Sequence, residues 1–454
     1  MNKGDSLDSQ GLDLGLLHII LNPNGKISNS LVQRIDKQQM KLHAGWRLQV
    51  LIFITAFAIL ISKRPDAIFN AQFWAEDGKC WYAEAYNLGI IQSLVLPKGG
   101  YFQTISRLTA AFVQFFPLLW APFIFNLTAI VIQILPVSLI ASVRFSQLMP
   151  NLQTRLFLGL LYLALPNSFE THANITNSHW HLAILACMVV LATPSCLLVW
   201  QIFDIAVILL SGLSGPFSVL LAPIAAIIWW FRRKRWSLIL LLGLTAGAVV
   251  QGIAILLTGH SSRVHTPLGA TPELFTKILA SQVFLAALLG QKGSKLISSI
   301  SFGYSIIAIL IAVAGSAAFF YCLLKAPLEL RLFSIFAAGV FGMSLLSPVV
   351  SETVPQWWLL WRPGTGVRYW FIPMLAFVTI LTWLLGATRP RQVQLTAKIA
   401  LVIMLAGIVV DWRYPTFADL NFKNYSRQFV EAPTGTKVTI PINPPGWFME
   451  LIKH

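Results

Sequence analysis

The sequence is poor in charge. Only 11% of its 454 residues are Asp, Glu, Lys or Arg, while 56% are hydrophobic. A soluble domain averages roughly 25% charged residues. So few charges cannot wet a surface, which excludes an ordinary soluble globule and makes lipid the main solvent. Acids are the scarcest class, 17 against 33 Lys and Arg, for a net charge of +16. That basic excess does not mark nucleic-acid binding. The basic residues fall in short clusters between apolar stretches, as the positive-inside rule places them, and no nucleic-acid partner is expected. The four cysteines do not make a disulfide framework. Cys187 and Cys322 fall in apolar stretches, Cys196 falls near the end of one, and only Cys80 reads as extramembrane. No internal repeat is visible, which weakens a transporter built from related halves. Residues 1–45 hold no apolar core with the length and flanks of a cleavable signal, so the first span is expected to be an uncleaved anchor.

Long apolar runs are what the chain has instead. A helix needs about 20 mostly apolar residues to cross the hydrocarbon core, and lipid offers no partner for an unpaired backbone group. The chain therefore reads as an all-α polytopic membrane protein with about 11 transmembrane helices. Spans are expected at 46–62, 121–142, 156–167, 180–194, 197–212, 217–231, 236–258, 302–324, 332–350, 369–386 and 397–410. They divide the sequence into a cytoplasmic N-terminal arm (1–45), a membrane domain (46–410) and a small extracytoplasmic tail (411–454). In the arm, Leu14 to Leu21 is too short to span. Lys37, Lys41 and Arg47 place the N-terminus inside, and Arg232-Arg233-Lys234-Arg235 is the strongest inside marker.

Three outer loops result, 63–103, 259–300 and 351–368, and interfacial helices are expected in them. Trp81 to Leu96 suits such a helix, and the apolar stretch 278–290 suits a segment that lies along the membrane or re-enters it. Residues 104–142 are interrupted at Pro117 and Pro122. In the tail, Val438 to Ile440 alternates like a strand until Pro441, Pro444 and Pro445 break it.

The most informative residues are Glu76 and Asp77, in Phe73-Trp74-Ala75-Glu76-Asp77-Gly78 of the first outer loop. A carboxylate facing a hydroxyl acts as a general base, best when its surroundings lift its pKa towards the working pH. Phe73, Trp74, Trp81 and Tyr82 supply desolvation and a surface on which a sugar ring can stack. Two adjacent side chains rarely point the same way, so one acid is expected to do the chemistry and the other to orient a partner. The competing account is a loop acid paired with Lys79 or Arg64. Arg368, where a span leaves the outer surface, can hold a phosphate with two parallel hydrogen bonds. Snorkelling is the plainer account of an arginine there. Arg362, Arg107, Arg263 and Lys98 are lesser versions of the same idea. Glu170, His172, Asn174 and His179 in the turn near 167–179, and His260 and His265 in the second loop, are expected to line a substrate cavity. Their spacing is too loose for a metal site.

The first-loop Glu76-Asp77, the long loop around it and Arg368-Tyr369 at a late span together resemble the GT-C superfamily of integral membrane glycosyltransferases. Gly212-Leu213-Ser214-Gly215-Pro216-Phe217 also looks like segments of bacterial polytopic proteins of that kind. The resemblance covers the topology of most of the chain, with specific motifs at a few residues. It implies a sugar donor carried on polyprenyl phosphate, an acceptor hydroxyl on glycan, lipid or protein, and an active site on the periplasmic face of a bacterial inner membrane. Asp77 is then the first choice of base and Glu76 the second, with Arg368 on the leaving phosphate. No cofactor is required, and the chemistry leaves room for a divalent metal. The tail is shorter than the large soluble domain of many members, which leaves acceptor recognition without an obvious owner. Two other classes compete: an envelope polysaccharide polymerase or ligase, on the strength of loop 259–300, and a non-enzymatic flippase or transporter, for which Asp204 within a span is the clearest feature.

Overall fold

A computed structural model describes residues 29–262, 266–299 and 304–454, with side chains described from residue 45 except at 259–262 and 304. The chain falls into two compact units, 1–54 and 55–454. Helix α1 (Asn29–Lys63) starts in the first, so the expected boundary at 45 lies inside a helix. Leu14 to Leu21 falls outside the described residues.

The second unit is helical apart from one hairpin. After short turns between residues 66 and 94 come α2 (Thr104–Val113), α3 (Ala121–Ala141), α4 (Leu152–Ala164), α5 (Ser178–Leu191), α6 (Leu198–Gly212), α7 (Phe217–Arg232) and α8 (Arg235–Ser262). Then follow α9 (Pro272–Ile278), α10 (Ala286–Ser298), α11 (Tyr304–Lys325), α12 (Leu328–Leu346), α13 (Val367–Leu384), α14 (Arg391–Val410) and α15 (Phe422–Glu431). Strands β1 (Lys437–Ile442) and β2 (Trp447–Ile452) close the chain as an antiparallel pair, with Lys437 opposite Ile452.

Among the described residues, eight helices are long and apolar enough to cross a membrane, which is compatible with a multi-pass membrane protein. The expected count of about 11 differs for two reasons. The third to sixth expected spans coincide with helices of 13, 14, 15 and 16 residues. At 1.5 Å per residue these reach about 20–24 Å, short of the roughly 30 Å core. Conversely, one of the eight, Pro272–Ser298, does not run straight. Gly290 breaks it with φ 70° and ψ −174°, a conformation open to glycine. Ser294 Oγ then donates to Ser281 O at 2.8 Å. Residues 13 apart in one straight helix would lie about 20 Å apart, so the segment is a helical hairpin folded back on itself.

Two helices form the centre. Nearly every residue of α5 is buried, as is most of α13. Both are apolar all round, as a helix enclosed by others must be. Their N-terminal ends point to the end of the bundle where the acid loop lies. Contacts gather the other expected outer segments there too: Thr104 N–H donates to Leu213 O at 3.0 Å and Asn167 N–H to Asp411 at 3.2 Å. At the opposite end, Asp204 is fully buried and held by Arg144 at 2.5 and 2.9 Å and by Trp236 Nε1 at 3.0 Å.

Two further points concern the thiols and the tail. Cys80 is buried, and Cys196 is the exposed thiol of the four. Cys196 lies in the α5–α6 connection, at the end expected to face the cytoplasm. An impermeant maleimide applied to intact cells should therefore leave Cys196 unmodified and should label it after lysis. Labelling on intact cells would reverse the sidedness. The tail, in turn, is not broken at Pro441. That residue sits within β1 opposite Phe448, where a two-stranded sheet leaves each strand one edge that needs no donor.

Candidate functional site

The acid loop is fastened by the tail. Asn443 N–H donates to Phe73 O at 3.0 Å, and Ala75 N–H donates back to Asn443 O at 2.5 Å. The Asn443 amide meanwhile exchanges two 2.9 Å hydrogen bonds with the Ala418 backbone. Further along, Tyr414 N–H donates to Lys63 O at 3.0 Å, Arg64 Nε donates to Pro415 O at 3.0 Å, and Phe417 N–H donates to Asp66 Oδ2 at 2.7 Å. Gly78 lies directly under β1: a Cβ there would come within 3.0 Å of Ile442 Cδ1. Ala75, just before the acids, is held at φ 44°, a left-handed conformation that costs a non-glycine residue about 1–2 kcal/mol. Such strain persists only where surrounding contacts over-determine the backbone. A π-helical turn, Asp77–Tyr82, follows at once; π turns recur at functional sites.

Three acids meet at this end of α5 and α13, and two are spent on the backbone that starts those helices. Asp77 is completely buried. Its Oδ2 accepts Ile175 N–H at 3.1 Å, and its Oδ1 accepts the Thr176 N–H at 2.8 Å and hydroxyl at 2.6 Å. Trp81 Nε1 donates to that same hydroxyl at 2.9 Å. Burial pushes the Asp77 carboxyl up to about 7, against the three donors, which favour the ionised form. Glu170 belongs to α13: its Oε2 accepts the Arg368 N–H at 3.1 Å, and its Oε1 pairs with the Arg368 guanidinium. Negative charge is favourable at a helix N-terminus, where unpaired N–H groups collect.

Glu76 is the third acid, and it is free. It is half-buried, and no described residue lies within hydrogen-bonding or ion-pair distance of its carboxylate. Its charge acts on both Asp77 and the Arg368 guanidinium. Sequence ranked Asp77 before Glu76; in the structure the Asp77 oxygens face the turn before α5 and carry three donors, whereas the Glu76 carboxylate carries none.

Arg368 keeps part of its donor set. It donates to Val349 O and to the Tyr369 hydroxyl, each at 3.1 Å, besides Glu170, and its side chain is 27% exposed. Arg107, by contrast, is consumed: it is buried, paired with Glu84 at 2.6 Å, and lies 4.7 Å over the Trp81 ring. It braces the loop, and its Nε is buried with no hydrogen-bond partner. Arg362 is exposed beside the helical hairpin, where its carbonyl accepts Gln282 Nε2 at 2.6 Å. Arg263 and His265 lie outside the described residues, as does the side chain of His260.

The expected cavity lining needs correction. Tyr82 is buried, packed on Phe73 at 5.4 Å. Asn174 is buried and ties its own turn, donating to Glu170 O at 2.7 Å and accepting Asn177 N–H at 2.9 Å. His172 is buried 5.1 Å from the Tyr414 ring, and burial together with Arg64 and Lys63 pushes its pKa well down, so it is neutral. His179 Nδ1 contacts Thr176 O at 2.7 Å, and the ring closes over Gly215. These four are walls of the turn. Trp74 stays half-buried, 5.7 Å from Phe417, at the rim. Two cavities contain neither Glu76 nor Asp77 in their linings. One is apolar and lies at the opposite end; the other is polar, beside the π turn, and is lined by Lys79, Glu84, Asn87, Trp447 and Glu450.

Sequence reasoning missed Asn443, Phe417 and Tyr414, the residues that hold the acid loop in shape. The one local signal was Pro444-Pro445 after Asn443, a turn signature that says nothing about what the turn touches. The chain matches no protein-family model and no curated protein.

Proposed function

We propose that the protein is a glycosyltransferase of the GT-C kind, moving a sugar from a polyprenyl-phosphate carrier to an acceptor hydroxyl. The observation that carries this reading is the division of labour among the acids: Asp77 holds the turn before α5, Glu170 accepts from the first turn of α13, and Glu76 stays free within electrostatic reach of Arg368. In the reaction the acceptor oxygen attacks the anomeric carbon and forms the new glycosidic bond. The bond from that carbon to the phosphate oxygen breaks, and the polyprenyl phosphate leaves with the electron pair. Glu76 takes the acceptor's proton. A single displacement of this kind inverts the anomeric centre. Arg368 and exposed Arg362 stabilise the charge growing on the phosphate. The polar pocket beside the π turn offers the acceptor an aromatic face at Trp447 with Lys79, 5.0 Å above it. In this reading the chain crosses a bacterial inner membrane about 11 times with the N-terminus cytoplasmic, and the acid loop faces the periplasm. The four short helices then complete their crossings with non-helical ends.

Nothing in the structure favours the alternatives. Asp204, the feature that suggested a transporter, is closed into the Arg144 and Trp236 contacts. Of the loop 259–300 that suggested a polymerase or ligase, Arg263, His265 and the His260 side chain fall outside the described residues, and Lys277 is paired with Glu273 at 2.5 Å.

The direct test is transfer from a polyprenyl-phosphate sugar by the purified protein in detergent, read as a new glycosidic bond. Arg368→Gln should lower kcat/KM for the donor about 10–100-fold, the worth of one charge-assisted hydrogen bond. Glu170→Gln should keep the Arg368 charge and lose less. Movement of intact carrier across vesicles with no new bond would make the protein a transporter instead.

A further inference from the structure

The apolar cavity at the end of the bundle away from Glu76 is unused by the proposed reaction. Its volume is about 640 Å³, inside the roughly 300–1,000 Å³ range of small-molecule sites. Helices α3, α4, α5, α12 and α13 wall it. Its lining runs along α4 from Gln153 to Tyr162 and along α13 from Leu375 to Leu385. At 1.5 Å per residue that is a depth of about 15 Å, half of the roughly 30 Å hydrocarbon core. The cavity is therefore as deep as one leaflet. Its far end offers a ligand no polar group, because the Tyr162 hydroxyl is spent on Gln133 O at 2.9 Å and His181 Nδ1 at 2.7 Å.

The mouth is different. Trp383 lines it, and the Arg389 guanidinium lies 4.0 Å from that ring. Arg389 Nε is buried with no hydrogen-bond partner. The acid in the lining, Glu329, does not serve it; Glu329 pairs with Arg232 at 3.4 Å. Arg389 is not itself in the lining; with no carboxylate pairing it among the described residues, it stands as a cation beside the lining residue Trp383, at the end where α11 finishes at Lys325 and α14 starts at Arg391. A cation so placed calls for an anion that carries a single long apolar chain into the cavity.

We propose that this cavity binds one acyl chain of an anionic glycerophospholipid, with the headgroup phosphate on Arg389. The site is independent of the sugar-transfer reading. It lies at the other end of the bundle and shares no residue with Glu76, Glu170 or Arg368.

The test uses the delipidated full chain, with phosphatidylglycerol and phosphatidylcholine as probes, read by native mass spectrometry. Phosphatidylglycerol should give a one-lipid adduct at roughly tenfold lower concentration, as a charge-assisted contact predicts. Arg389→Gln should bring the two lipids level. Phosphatidylglycerol with a photoreactive group at the end of one chain should cross-link the unmodified protein near Tyr162 or Leu375. Equal binding of the two lipids by the unmodified protein, or cross-links confined to outward residues such as Leu395 and Val402, would overturn the proposal. Both readouts on the unmodified chain decide the matter even if the substitution fails to fold.

Discussion

Glu76→Gln is expected to cut sugar transfer by roughly 10²–10⁴-fold, the usual contribution of a positioned general base, while the protein melts at its normal temperature. The two effects separate because of where the side chain sits. Glutamine has the same shape, and the carboxylate it replaces is half-buried with no hydrogen-bond partner. No buried donor is orphaned, so the fold loses nothing. The reaction loses its proton acceptor, because an amide oxygen is far too weak a base. Glu76→Asp should fall between the two, since it keeps the base but draws it back by one methylene from the attacking hydroxyl. Initial rates at saturating donor, together with a thermal melt of each variant, decide the point. A Glu76→Gln protein that turns over at the unmodified rate would remove this residue from the chemistry.

Asp77→Ala should behave in the opposite way and unfold the acid end of the protein. It strips the acceptor from the Ile175 and Thr176 N–H groups, and each orphaned buried donor costs roughly 1–3 kcal/mol. Inactivity would then follow from lost structure and would be accompanied by a large drop in melting temperature. The unmodified protein carries a second signature. Burial lifts the Asp77 carboxyl from 3.8 to about 7. Between those limits the folded chain keeps a proton that the unfolded chain has released. The resulting stability is fully present below about pH 4 and is lost as pH rises through about 7. Melting temperature should therefore decline across that window in the unmodified protein, and the decline should be smaller in Asp77→Ala. An Asp77→Ala protein with normal melting at every pH would show that the carboxylate braces nothing.

Those opposite expectations for neighbouring acids mark the limit of what the sequence reveals. Hydropathy located the apolar helices, since burial in lipid is a property of composition. The rarity of acids drew attention to residues 76 and 77, and the charge of Glu76 does act on the arginine at the start of α13. Which acid is free could not be read locally. It depends on the turn at 175–176, about 100 residues away, whose N–H groups claim Asp77. The pairing of Arg107 was hidden for the same reason, because its partner Glu84 comes from another turn of the loop. The fold-back at Gly290 had only a glycine to announce it. Pro441 was taken for a strand breaker, although proline is tolerated on the open edge of a two-stranded ribbon.

The clasp between Asn443 and the Phe73–Ala75 backbone also sets an order of events in biogenesis. Helices can enter the bilayer one after another as they are made, but the first loop acquires its shape only when Asn443, far later in the chain, has been made and has joined it. A chain stopped before Asn443 would thus be inserted with its first loop unshaped.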